Sequence, residues 1–251
     1  FEAAFGRPLM QCLGSKYHYN ALAQELTGDY WACGHMYGSQ SKFTIADEHH
    51  ADMILAVGWN GMTSHQMPRA PLVLKEFSKN PDKLLVVIDP RKSETARAAN
   101  RHLQLRAGTD ALLVRAMIAI LLEQGWEKKE YLRDYTSGFD KIRPWFENVD
   151  IEATLNICEV SYDEVLELCR ILTERNWCMH FDLGVLMGRH STLTTYLYML
   201  LSAICGRDLV SGGNVISGTV MRLGGAVPGQ KKKSNPWRTV ETDYPAIIGM
   251  Y

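Results

Sequence analysis

The sequence has no G-x-G-x-x-G run and no G-x-x-x-x-G-K-[ST] loop, so the usual dinucleotide and P-loop signatures are missing. It has little net charge: 27 Lys and Arg stand against 28 Asp and Glu, for a balance of −1. That removes the electrostatic case for a nucleic-acid partner or an anionic-membrane binder. Its six cysteines (12, 33, 158, 169, 178 and 205) include no C-x-x-C pair. Reduced, mostly buried thiols are expected, and no cluster ligated by this chain alone. Nor is there a run of about 20 apolar residues, the length a bilayer span needs. The nearest candidates are Ala111–Leu122, broken by Arg115, and Leu193–Cys205, which carries Thr, Tyr and Ser. A soluble protein of cytoplasm or periplasm is the expectation.

What is present is ordinary globular material: 251 residues, 46% apolar and 22% charged. A chain of this size buries about 70% of its unfolded surface and needs no staples. It opens on Phe1 without Met or a leader pattern and closes in a Lys-rich polar stretch, as a piece of a longer chain would.

Four short apolar runs read as strands buried on both faces: Asp52–Val57, Leu84–Asp89, Leu103–Arg106 and Cys178–Leu183. Helical patterns lie among them. Leu9–Leu26 suits a helix or two, before a glycine-bearing loop at Ala32–Gly38. Pro71–Lys79 has an apolar face, and Thr109 is placed to cap a helix through Gln124 with Gly125 as its stop. Ser161 to Glu164 is a capping box for a helix to about Arg175, and Ser191–Ile204 reads as a buried helix ending at Gly206. Strands alternating with helices predict an α/β, doubly wound, mainly parallel sheet of Rossmann-like type, with an irregular C-terminal extension after Ser211. The expected division is an N-terminal segment 1–50 from a neighbouring discontinuous domain, a dinucleotide-binding-like domain 51–215, and an irregular exit 216–251.

In such a sheet ligands bind beyond the carboxyl ends of the strands. Three ends carry polar, backbone-exposing residues: Gly58-Trp59-Asn60, Asp89-Pro90-Arg91 with Ser93 and Thr95, and Gly108-Thr109-Asp110 at a helix start. Glycine lets backbone approach a phosphate, and a helix N-terminus offers free N–H groups. A strand-tip carboxylate can accept ribose hydroxyls or the N–H edge of guanine, and Arg91 can neutralise phosphate. Each segment also has an ordinary reading as turn glycine, solvated turn or helix cap. The nucleotide reading rests on the series of three.

The runs ADMILAVGWN, LLVVIDPRKSETARAAN and HLQLRAGTDALL, continued by Tyr135–Phe139, Gly184 to His190 and Leu209–Asn214, resemble the molybdopterin oxidoreductases of the dimethyl sulfoxide reductase superfamily. Formate dehydrogenases and nitrate reductases belong to that group. The likeness covers most of residues 9–225, with Gly61 where the family usually has proline. It implies a bis-molybdopterin guanine dinucleotide (bis-MGD) carrying Mo or W, held by the three strand ends, with Asp89 on ribose and Asp110 on guanine. Gly184, Gly188 and His190 would lie toward the pterin. For the protein ligand to the metal the resemblance implies Glu25, with Cys33 as a thiolate alternative, while His35, His49 and His50 read as loop or surface residues. A [4Fe–4S] cluster is expected only in a preceding segment. The remaining domains, an electron-transfer subunit and a small-molecule substrate are the implied partners, with no nucleic acid. Residues doing the chemistry itself stay unassigned. Two other readings are an inert relative of the complex I large-subunit kind and a nucleotide-binding domain of thiamine-diphosphate type.

Overall fold

The computed structural model describes residues 2–14, 21–40, 42–64 and 66–216. Its strands are β1 (Thr44–Ala46), β2 (Met53–Val57), β3 (Leu84–Ile88), β4 (Arg101–Leu103), β5 (Trp177–Phe181) and β6 (Asn214–Ile216). The main sheet runs β4-β3-β2-β5, all parallel, and β1 pairs antiparallel with β6.

Alternate residues of β2 and β3 face opposite ways, and both faces are covered. Met53, Leu55, Val57, Val86 and Ile88 enter one core with the helices Asp110–Glu123, Tyr162–Glu174 and Ser191–Ile204. Ile54, Ala56, Leu85 and Val87 enter a second with Ala70, Leu74 and Phe77 of the helix Ala70–Lys79. β2 is buried along its whole length, as its unbroken apolar run requires. At about 1.5–3 kcal/mol per large apolar side chain, this two-sided burial holds the sheet. The α/β, doubly wound, mainly parallel fold is therefore present. The extension at 217–251 lies outside the described residues.

Several elements differ from the sequence reading. The third strand lies at Arg101–Leu103, not Leu103–Arg106. Leu105 is buried, which imitates strand alternation, but the chain has already left the ladder and Arg106 N–H donates to the Cys158 carbonyl (2.8 Å). The fourth strand ends at Phe181, because Asp182 opens the short helix Leu183–Leu186. Most of the expected loop at Ala32–Gly38 is helix, in Thr27–Met36. Gly34 lies within this helix, close to the Gln40 side chain (3.2 Å from where a Cβ would be). Thr109 holds the cap position of the Asp110 helix without capping it by its side chain; its hydroxyl donates to the Arg106 carbonyl (2.6 Å). The Ser161–Glu164 capping box is present in full.

Candidate cofactor-binding site

Register levels the strand ends. Val57 pairs with Ile88 and with Phe181, and Ile88 pairs with Leu103, so four strands finish on one line. The segments that follow stand side by side along that edge in the order 104–110, 89–95, 58–60, 182–184.

Gly58 and Gly184 cross backbone to backbone. Gly58 N–H donates to Ile88 O (2.9 Å), and its own carbonyl accepts from Gly184 N–H (3.2 Å). A Cβ on Gly184 would stand 2.4 Å from Gly58 O, and Gly58 has φ +54°. These glycines are thus required by the fold whatever binds nearby. Trp59 points inward. It is 1% exposed, stacks on His180 (centroids 4.3 Å apart, 21°) and covers Gly61 so closely that a Cβ there would meet its ring at 2.4 Å. Any side chain at position 61 would have to displace that ring. Burial pushes His180 down to about 4, so the imidazole is neutral.

Asn60 stitches two tips together. Its Oδ1 accepts from Thr95 N–H (3.2 Å) and Thr95 Oγ1–H (2.9 Å), and its Nδ2 donates to Glu94 Oε2 (2.7 Å). Ser93 Oγ caps the helix Glu94–Ala98 by accepting from Ala96 N–H (3.2 Å). Asp89 Oδ1 accepts from Arg91 N–H (2.7 Å), while the Asp89 and Pro90 carbonyls accept from His102 Nε2 (2.9 Å) and Gln104 Nε2 (3.1 Å). The Arg91 guanidinium is exposed and lies 3.6 Å from Glu94.

The third tip is different. Gly108 has φ +80° with no atom within 4 Å of where its Cβ would be. Asp110 begins a 14-residue helix, and its carboxyl is pushed above the usual range, first by burial and then by the negative charge of Asp89. No described cation pairs with it. Gly188 and His190 are exposed in the turn before Ser191–Ile204. Glu25 is half-buried, and its charge helps push up the Asp182 carboxyl, so it lies toward the β5 end of the edge.

Among the described residues no group of three or more His, Cys, Asp or Glu is arranged to hold a metal. Two cavities, one around Arg133, Phe139 and Arg143 and one around Lys128, Tyr131 and Arg207, contain none of the strand-tip residues. Glu94 and His102, which brace Asn60 and the Asp89 carbonyl, were not anticipated as site residues. Glu94 sits in a first helical turn, where acidic residues are common for reasons of dipole alone, and only the tertiary pairing distinguishes it.

Residues 2–250 match the family model for molybdopterin oxidoreductase. The subunit alpha of an F420-dependent formate dehydrogenase from Methanocaldococcus jannaschii is 31% identical over 70% of this chain and 25% of its own length. Formate dehydrogenase H of Escherichia coli is 30% identical over 49% of this chain and 17% of its own. An assimilatory nitrate reductase catalytic subunit from Bacillus subtilis is 22% identical over 79% and 28%. In fold, acetylene hydratase from Pelobacter acetylenicus matches 85% of this chain and 29% of its own with a TM-score of 0.69 at 20% identity. The chain spans about a quarter of the length of these relatives. With nearly its whole length matched, the chain belongs to the molybdopterin oxidoreductase family.

Proposed function

We propose that residues 51–215 bind one guanine dinucleotide arm of a bis-MGD cofactor carrying Mo or W. The whole protein would be a catalytic subunit that moves an oxygen atom, or a proton and electrons, to or from a small molecule. Residues 1–50 and 216–251 would link to the neighbouring domains that complete the site, with a [4Fe–4S] cluster in a preceding segment and a separate electron-transfer subunit.

One observation carries the assignment: the levelled strand ends set two carboxylates, Asp89 and Asp110, close enough to sense each other, and the inner one has no cation. A desolvated carboxylate held by its own backbone N–H and no cation is costly, and two N–H donors of a guanine edge would relieve that cost. Asp89 would accept from ribose hydroxyls. The exposed Arg91 and the N-terminus of the Asp110 helix would face the diphosphate, with Gly108 leaving its backbone accessible. The Asn60–Thr95–Glu94 bonds hold the loop rigid beside them. Gly184, Gly188 and His190 would border the pterin, and Glu25 is the residue proposed to ligate the metal. The bound metal centre supplies the redox chemistry, and this segment binds and orients it.

The test is Asp110→Ala in the full-length protein, with guanine nucleotide and metal measured after denaturation. Losing two charge-assisted bonds, at about 1.5–3 kcal/mol each, should reduce retained cofactor more than tenfold. Full retention removes Asp110 from the assignment. Absence of both metal and pterin from the wild-type protein would point instead to an inert structural relative.

A further inference from the structure

Where β3 leaves the sheet, side chains that follow on from β4 take over from the backbone. In a parallel ladder each bonded residue reaches its partner strand twice, through its N–H one way and its carbonyl the other. Asp89 N–H donates to Leu103 O (3.3 Å), so the next rung would run from Leu105 N–H to the Asp89 carbonyl. That rung is not among the described backbone bonds, since β4 ends at Leu103. His102 Nε2 takes its place at 2.9 Å, and Gln104 Nε2 does the same for the Pro90 carbonyl at 3.1 Å. Residues 102 and 104 have the spacing of one face of an extended chain. A carbonyl can only accept, so His102 carries its hydrogen on Nε2.

The two peptide groups held in this way belong to the turn that carries Asp89 and Arg91. Asp89 Oδ1 accepts from Arg91 N–H (2.7 Å), which ties the carboxylate to the turn, and the exposed Arg91 guanidinium leaves from the same place. A turn free to rotate at either carbonyl would swing both side chains with it. Asn60, the other brace at this edge, reaches only Glu94 and Thr95, past the turn. Among the described residues, His102 and Gln104 supply the side-chain hydrogen bonds that reach 89–91 from another strand's segment.

We propose that His102, supported by Gln104, is a positioning residue that sets the aim of Asp89 and Arg91 toward the nucleotide arm without touching that arm. This role rests on the cofactor reading above and adds to it two residues outside the polar series of the strand tips. It depends on where a donor atom stands, which separates it from a role in filling space. A glutamine amide nitrogen lies the same number of bonds from Cα as histidine Nε2, and Gln104 already makes the equivalent bond next door. An asparagine amide nitrogen lies where Nδ1 does, one bond short of the carbonyl.

The experiment uses the full-length protein and measures guanine nucleotide and metal retained after dialysis, per mole of folded protein, with urea unfolding alongside. His102→Ala should lower retention about fivefold, the loss of one hydrogen bond's worth of positioning, and His102→Asn should do the same. His102→Gln should keep retention within about twofold of wild type, and Gln104→Ala, at an exposed side chain, should lower it about twofold. Unchanged retention in His102→Ala, or equal retention in the Gln and Asn variants, overturns the proposal and leaves the cofactor reading standing. Wild-type protein with neither guanine nucleotide nor pterin overturns that reading, and this role with it. If His102→Ala does not fold, the Gln and Asn variants decide. If His102→Asn does not fold either, the position is structural and the proposal falls.

Discussion

The tips of β2 and β3 and the tip after β4 stand next to each other and are built on opposite plans. The first two are knitted: Asn60, Glu94 and Thr95 spend their side chains on one another, Ser93 on the Ala96 N–H, and Trp59 on His180. The third is left open, with Gly108 facing empty space and Asp110 lacking a cation. Side chains already satisfied by the protein hold a shape, and those left unsatisfied are available to something else. On the proposed function, Asn60, Ser93 and Thr95 would serve a nucleotide by fixing the loop, whereas Asp110 would touch it.

Substitutions can break that contrast. The largest loss of stability should come from Asn60→Ala, which strands the buried Thr95 donors and should cost on the order of 2–3 kcal/mol in urea unfolding. Gly61→Ala comes next: the new methyl must displace the Trp59 ring, for about 1–2 kcal/mol and a change in tryptophan fluorescence. Arg91→Ala should leave the melting temperature within error, since an exposed pair contributes little, yet weaken cofactor retention. Asp110→Asn should lower retention with no loss of stability. Its pH behaviour is the sharper readout. A carboxyl whose folded pKa is raised makes the folded state the better proton binder, so stability falls as pH rises from the ordinary carboxylate value through the raised one. Asp110→Asn should flatten that part of the stability profile. If Asn60→Ala proves harmless or Asp110→Asn unfolds the protein, the division into knitted and open tips is wrong.

The parts legible from sequence were those whose cause is local. The unbroken runs of β2 and β3, the Ser161 capping box and the start of the Asp110 helix each announce themselves within a few residues. Three-residue strands do not. Leu103 and Leu105 are both buried, so alternation points two residues past the start of β4, and β1 and β6 are strands only by their mutual pairing. At the site, the polar series after three strands was visible in sequence. The inward turn of Trp59 and the roles of Glu94 and His180 depend on partners 34 to 121 positions away and were not.

The Gly58–Gly184 crossing limits how this edge could diversify. Backbone atoms set the gap between those two loops, so a side chain placed at either glycine collides with the other loop. Variants suited to a bulkier guest would have to change the length of the stretches at 89–95 and 104–109, the segments on the far side of that rivet.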